Sequence, residues 1–153
     1  MTRKHTKRTI RPIDPMAMYR VTGRVTTFTE AEQAALNLPV RMALQAFIDR
    51  TAVEDDFHTL AAAANVAMIC AEKIDHQVEI LCNYGLDALM RVLDRQKRTG
   101  QWGLDGPARK EINDAIEVYE QLTSLLTGGQ LKDAMVQVIK RMQAGEVREV
   151  APA

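Results

Sequence analysis

The feature that most constrains this chain is a series of helix start and stop signals spaced through residues 29–145. Thr29-Glu30-Ala31-Glu32 has the form of a capping box, in which a Thr side chain and a Glu three residues later each satisfy the other's backbone N–H. Leu36, Val40, Leu44, Phe47 and Ile48 follow at helical spacing, with Pro39 expected to kink or split the helix. A second box is expected at Thr51-Ala52-Val53-Glu54, opening a helix with Phe57, Leu60, Ala61, Ala64, Met68 and Ala71 on one stripe. Asp75 is the expected N-cap of a third helix, to about Arg98, with Gly100 as its stop. This helix is apolar on two sides (Val78, Leu81, Cys82, Gly85, Leu89, Val92 and Leu93, then Ile80, Leu86 and Met90), which places it centrally in a bundle. Asp105 or Gly106, with Pro107 at the first helical position, starts a fourth, which Gly128-Gly129 is expected to end. A fifth runs from Gln130 to about Ala144, with Gly145 as its stop. Five helices with short connections predict an all-α bundle.

Composition agrees with that class. The 153 residues are 46% hydrophobic, enough for one core, while aromatics at 5% and scattered β-branched residues disfavour a sandwich or barrel. The division expected is a basic N-terminal arm and irregular connection at 1–28, the helical bundle at 29–145 and a frayed tail at 146–153. Charge supports the first boundary. The 20 basic and 20 acidic side chains cancel overall, yet residues 1–24 hold seven cations and one acid. Residues 1–11 have almost no apolar side chains to offset their ordering entropy, so they are expected to form a disordered arm. Residues 30–87 carry 10 acids against 3 bases, and residues 88–110 reverse this with 6 bases against 2 acids. No apolar run reaches the ~20 residues of a membrane span, and the basic opening lacks the apolar stretch of a secretory signal. Two cysteines are too few for a disulfide framework, so the expected setting is the cytoplasm, without contact with a membrane.

Chemistry is sparse. His58, His76, Cys70 and Cys82 have no metal-ligand spacing, and apolar neighbours mark the cysteines as core residues, so no metal is expected. Asp55 and Asp56 at a helix start are accounted for by the helix dipole. No hydrolase, metalloprotease, nucleotide-loop or dinucleotide fingerprint is present, and Gly103-Leu104-Asp105-Gly106 lacks the strand and Lys of a phosphate cradle. The expectation is a protein that is not an enzyme and uses no cofactor. The candidate contact residues are Arg3, Lys4, Lys7, Arg8 and Arg11, a cationic run suited to nucleic acid or an acidic partner. A second patch is Arg95, Lys97, Arg98 and Trp102, where the only Trp sits on a Gly-rich loop. That Trp is either an exposed anchor for a partner or a lid folded back on one end of the bundle. Eight methionines and Ala-lined helices add a homodimer to the expectations.

The opening KHTKRTIRPIDPMA, Asn65-Val66-Ala67 in an Ala-rich helix and the Arg98-Thr99-Gly100…Trp102 loop resemble a group of small all-helical accessory proteins encoded by phages and prophages of proteobacteria. The resemblance implies a protein that acts by binding inside a bacterial host cell. Two modes follow: the arm contacts nucleic acid or an acidic partner, or the helical body docks on a host protein or defence complex as an anti-CRISPR-like inhibitor.

Overall fold

The computed structural model describes residues 26–145. Arg3, Lys4, Lys7, Arg8 and Arg11, the expected disordered arm and the tail 146–153 lie outside the described residues. Within them the chain is all-α: α1 (Glu30–Ile48), α2 (Glu54–Ala71), α3 (His76–Thr99), α4 (Gly106–Leu125) and α5 (Gly128–Gln143). Among the described residues the one β-type feature is an isolated antiparallel bridge between Thr27 and Thr127. No described helix is long and apolar enough to cross a membrane.

Several ends follow the expected chemistry. Thr29 Oγ1 accepts the Glu32 N–H at 3.3 Å while the Thr29 N–H donates to Glu32 Oε2 at 2.8 Å. Asp75 Oδ1 accepts from the Gln77 N–H at 2.8 Å, and Gly100 closes α3 in the left-handed region at φ 73°. Asp105 Oδ1 accepts from the Ala108 N–H at 2.7 Å, which puts Pro107 at the second helical position rather than the first.

Four expectations are corrected. First, Pro39 does not split α1 into two helices, since the helix runs unbroken from Glu30 to Ile48. Pro39 and Ala35 are both exposed, so the carbonyl that Pro39 leaves without an N–H donor faces water, while Val40, Ala43, Leu44 and Phe47 bury the opposite stripe. Second, Thr51 does not cap α2, because its N–H is engaged by the Ala46 carbonyl (2.9 Å) at the end of α1. The helix starts two residues later than expected, with the Val53 N–H donating to Asp56 Oδ2 at 2.8 Å. Third, Gly128-Gly129 opens α5 instead of ending α4. Thr127 Oγ1 accepts the Gln130 N–H at 3.2 Å and the Thr127 N–H donates to Gln130 Oε1 at 2.9 Å. That box supports two glycines in the first turn, and Gly129 is buried where a side chain would not be needed.

The fourth correction concerns the centre of the bundle. It is α2, not α3. Phe57, Leu60, Ala61, Ala63, Ala64, Val66, Ala67, Ile69, Cys70 and Ala71 are all buried, and α2 packs against each of the other four helices. Alanines on several sides let neighbours approach it from all round. By contrast α3 leaves Leu81 and Tyr84 exposed. The partner of α3 is chiefly α4, and the two backbones meet at Gly85, where an added Cβ would lie 2.5 Å from Ala115 Cβ. The α1–α4 seam is polar at its edge: Arg41 forks onto Glu120 at 2.5 and 2.6 Å and reaches Asn113 Oδ1 at 2.7 Å. The buried Thr123 hydroxyl shares its proton between the Glu120 carbonyl (2.8 Å) and Asn37 Oδ1 (3.0 Å). At the far side Arg141 of α5 makes a two-pronged bond to Glu72, just beyond α2, at 2.7 Å for each prong.

Two stability predictions follow from these contacts. Gly85→Ala places a methyl against Ala115 that neither backbone can avoid, so unfolding free energy should fall by about 1–3 kcal/mol despite the better helix propensity of Ala. Adding Ala115→Gly should restore part of it; urea midpoints for both variants check this, and an unchanged Gly85→Ala midpoint contradicts the close approach. The hydrogen bond from Arg141 holds the Glu72 carboxyl below its usual range. Its stabilisation is therefore present above the unfolded carboxyl's pKa and is lost as pH falls through the lowered folded value. Glu72→Gln should cost about 0.5 kcal/mol at neutral pH, as for a partly exposed pair screened by solvent, with the gap to wild type closing in strong acid.

Candidate functional site

One end of the bundle gathers the C-terminus of α1, the start of α2 and the loop 100–105 between α3 and α4. The loop begins at the Gly100 cap and ends at the Asp105 cap, so both its ends are held by backbone bonds. Its middle is held by Trp102. The indole stacks on Phe57 (centroids 5.0 Å apart, planes 24°) and meets Phe47 edge to face (6.0 Å, 86°). Phe47 and Phe57 are 2% and 1% exposed, so the ring is fixed to the core from its inner side. Of the two expectations for Trp102, the folded-back lid describes its packing. The ring is nevertheless only half-buried and forms part of the wall of a surface cavity.

Cations surround this loop. Arg95 Nη2 lies 3.5 Å from Asp105 Oδ2, and Arg91 pairs with Glu111. Lys97 and Arg98 stand exposed on the last turn of α3, where positive charge also complements the helix dipole. Arg109 is exposed in the first turns of α4. The sequence patch Arg95, Lys97, Arg98 and Trp102 is thus brought to one place and joined by Arg109, Arg91 and a residue the patch did not include, Arg50. Among the described residues, Arg50, Arg98 and Arg109 are the arginines without an acidic partner, and all three are at this end. The others are spent in ion pairs that hold the bundle together.

Arg50 is held in an unusual backbone state. It follows α1 with φ 61°, the left-handed region that favours Gly. The surrounding bonds form a Schellman turn: the Thr51 N–H donates to the Ala46 carbonyl at 2.9 Å and the Arg50 N–H to the Phe47 carbonyl at 3.2 Å. No stripe, cap or motif marks Arg50 in the sequence, since its placement depends on that turn and on the fold bringing the α3–α4 loop beside it.

The cations line three adjoining concavities. One of about 820 Å³ lies between the α1–α2 junction and the loop, with Arg50, Arg95, Trp102 and Arg109 in its wall. A second, about 530 Å³, is walled by Arg91, Arg95, Lys97, Arg98 and Asp105. The third, about 610 Å³, runs between α1 and the start of α4 past Arg41, Arg109 and Lys110. Such a surface attracts anions and offers guanidinium forks suited to phosphate or carboxylate.

The remaining sequence candidates are placed elsewhere. His58 lies 3.5 Å from Glu54 and His76 lies 3.2 Å from Glu79, each pair on one helix. Cys70 and Cys82 are buried, and burial pushes both thiols up, Cys82 to about 12, so neither is a thiolate at neutral pH. Among the described residues no three His, Cys, Asp or Glu side chains are grouped to hold a metal ion. Asp56 is engaged by the Val53 N–H at the start of α2.

If the Arg50 side chain contributes nothing to the fold, Arg50→Gly should relieve the left-handed backbone and raise stability by about 1 kcal/mol. A urea midpoint that falls instead would mean that this guanidinium makes contacts the bundle needs.

Comparison of the chain with protein-family models, curated proteins and solved structures finds no match.

Proposed function

We propose that this is a non-enzymatic accessory protein of the phage type that acts by binding a polyanionic partner, nucleic acid in first place. The basic end of the bundle and the cationic segment Arg3, Lys4, Lys7, Arg8 and Arg11 supply the contacts. The observation that carries this reading is the segregation of arginines: the partnered ones lock helices together, whereas Arg50, Arg98 and Arg109 are gathered, unpaired among the described residues, around one loop. Guanidinium groups beside concave walls bind phosphate oxygens at little entropic cost.

A second reading is an inhibitor docking on a host protein or defence complex through the helical body. One observation favours it. The α5 helix leaves Met135, Val136, Ile139 and Met142 exposed on its outer side, more apolar surface than its contact with α2 needs.

Salt dependence separates the two. Binding of duplex DNA through about five phosphates should make log K fall against log salt with a slope of about −4.5. Lys97→Gln and Arg98→Gln, both on the surface, should each weaken binding and reduce that slope by about 1. Deleting residues 1–11 should weaken it further. If the deletion and both substitutions leave affinity unchanged, the polyanion reading is wrong and body docking stands in its place.

A further inference from the structure

The cavity beside Trp102 is built differently from the rest of the basic surface. We infer that it takes one unpaired nucleotide of a single-stranded nucleic acid, the base lying on the indole and the phosphate between Arg50 and Arg109. This rests on the polyanion reading above and adds to it the kind of strand and the atoms that hold it.

Trp102 has its inner face on Phe57, a residue almost wholly inside the core, and Phe47 approaches it edge-on. Trp102 is half-buried and lines the cavity, so part of the ring is open to it. The ring is pre-positioned, so a base stacking on it costs little ordering. Bases in a duplex are already stacked on their neighbours and cannot reach an indole in a wall; an unpaired base can. The volume of about 820 Å³ falls within the usual range of small-molecule clefts, roughly 300–1,000 Å³.

Charge orients the nucleotide. Asp105 is in the same wall, with Oδ1 taken by the Ala108 N–H and Oδ2 3.5 Å from Arg95, so that carboxylate partly offsets Arg95. Arg50 and Arg109 have no such neighbour among the described residues, and the phosphate belongs with them. Arg50 is also the one described residue other than Gly at positive φ.

Trp102 is the only tryptophan of the chain, so its fluorescence reports on this cavity alone. The full chain is titrated with a short oligothymidylate, with the same strand annealed to its complement, and with polyglutamate, while binding is followed independently by sedimentation. The single strand should quench the emission in a saturable titration, and the duplex and polyglutamate should leave it unchanged even where they bind. Trp102→Leu should lower affinity for the single strand about tenfold. Because Trp102 also packs on the core, the surface double variant Arg50→Gly with Arg109→Gln is measured beside it, with a loss of about tenfold expected and helical circular dichroism unaltered. Single-strand binding without quenching, or with affinity untouched by the double variant, overturns this inference and leaves the polyanion reading in place. Quenching by polyglutamate but not by oligothymidylate also overturns it and makes the ligand an acidic protein. No binding of any of the three probes overturns both.

Discussion

The bundle depends on a central helix narrow enough to be surrounded. Alanines at 61, 63, 64, 67 and 71 give α2 little girth, and the four other helices pack on it directly. A larger residue at any of these positions would push a neighbour outward, because interiors at crystal-like density have no room to absorb added methylenes. The same economy recurs where α3 meets α4 at Gly85 and Ala115. Close approach there fixes the angle at which the two helices leave each other, and hence where the loop joining them stands. Phe47, Phe57 and Trp102 then close that end of the core with aromatic rings.

Electrostatics divides the molecule along the same axis. Arg41 with Glu120 and Asn113, and Arg141 with Glu72, use charge to join helices, and each carboxylate is met by two guanidinium hydrogens. Fork-to-fork bonds of this kind order the side chains on both sides. At the loop end the pairing thins out: Arg95 keeps a loose contact with Asp105, and Arg50, Arg98 and Arg109 keep none among the described residues. An unpaired guanidinium in water costs the fold nothing, but several near one concave wall raise the local concentration of anions. Of the acidic side chains of residues 30–87, Asp49, Glu54, Asp55 and Asp56 stand at this same end, where the Gln45 side chain engages Asp49 and the Val53 N–H engages Asp56.

Much of the architecture is legible because helix ends are local. Thr29 with Glu32, Asp75, Gly100 and Gly145 are read correctly from residue type and spacing alone, and Asp105 is one of the two caps that spacing leaves open for α4. The misreadings occur where two local signals compete or where packing overrides one. Thr51 has the form of a cap yet is drawn into the Schellman turn of the preceding helix, while Thr127 with Gln130 outweighs the breaking tendency of Gly128-Gly129. Pro39 is tolerated because its side of α1 faces solvent, which periodicity only hints at. The identity of the central helix is not local at all. Small residues on several sides of α2 were the available sign, and the two apolar sides of α3 were the more conspicuous one. At the site, the cluster of Arg95, Lys97, Arg98 and Trp102 is legible as charge beside an aromatic loop, but Arg50 enters only through the fold.

Amide hydrogen exchange of the full chain, with and without saturating oligothymidylate, tests the central claim most directly, because it locates the bound surface without altering a residue. Within the bundle, slowed exchange confined to residues 97–109 and the turn around Arg50, with α5 unchanged, is the result expected of a polyanion site built on the α3–α4 loop. Slowing centred on α5, or none at all under saturating conditions, would show that the unpaired arginines are not where this protein meets its partner.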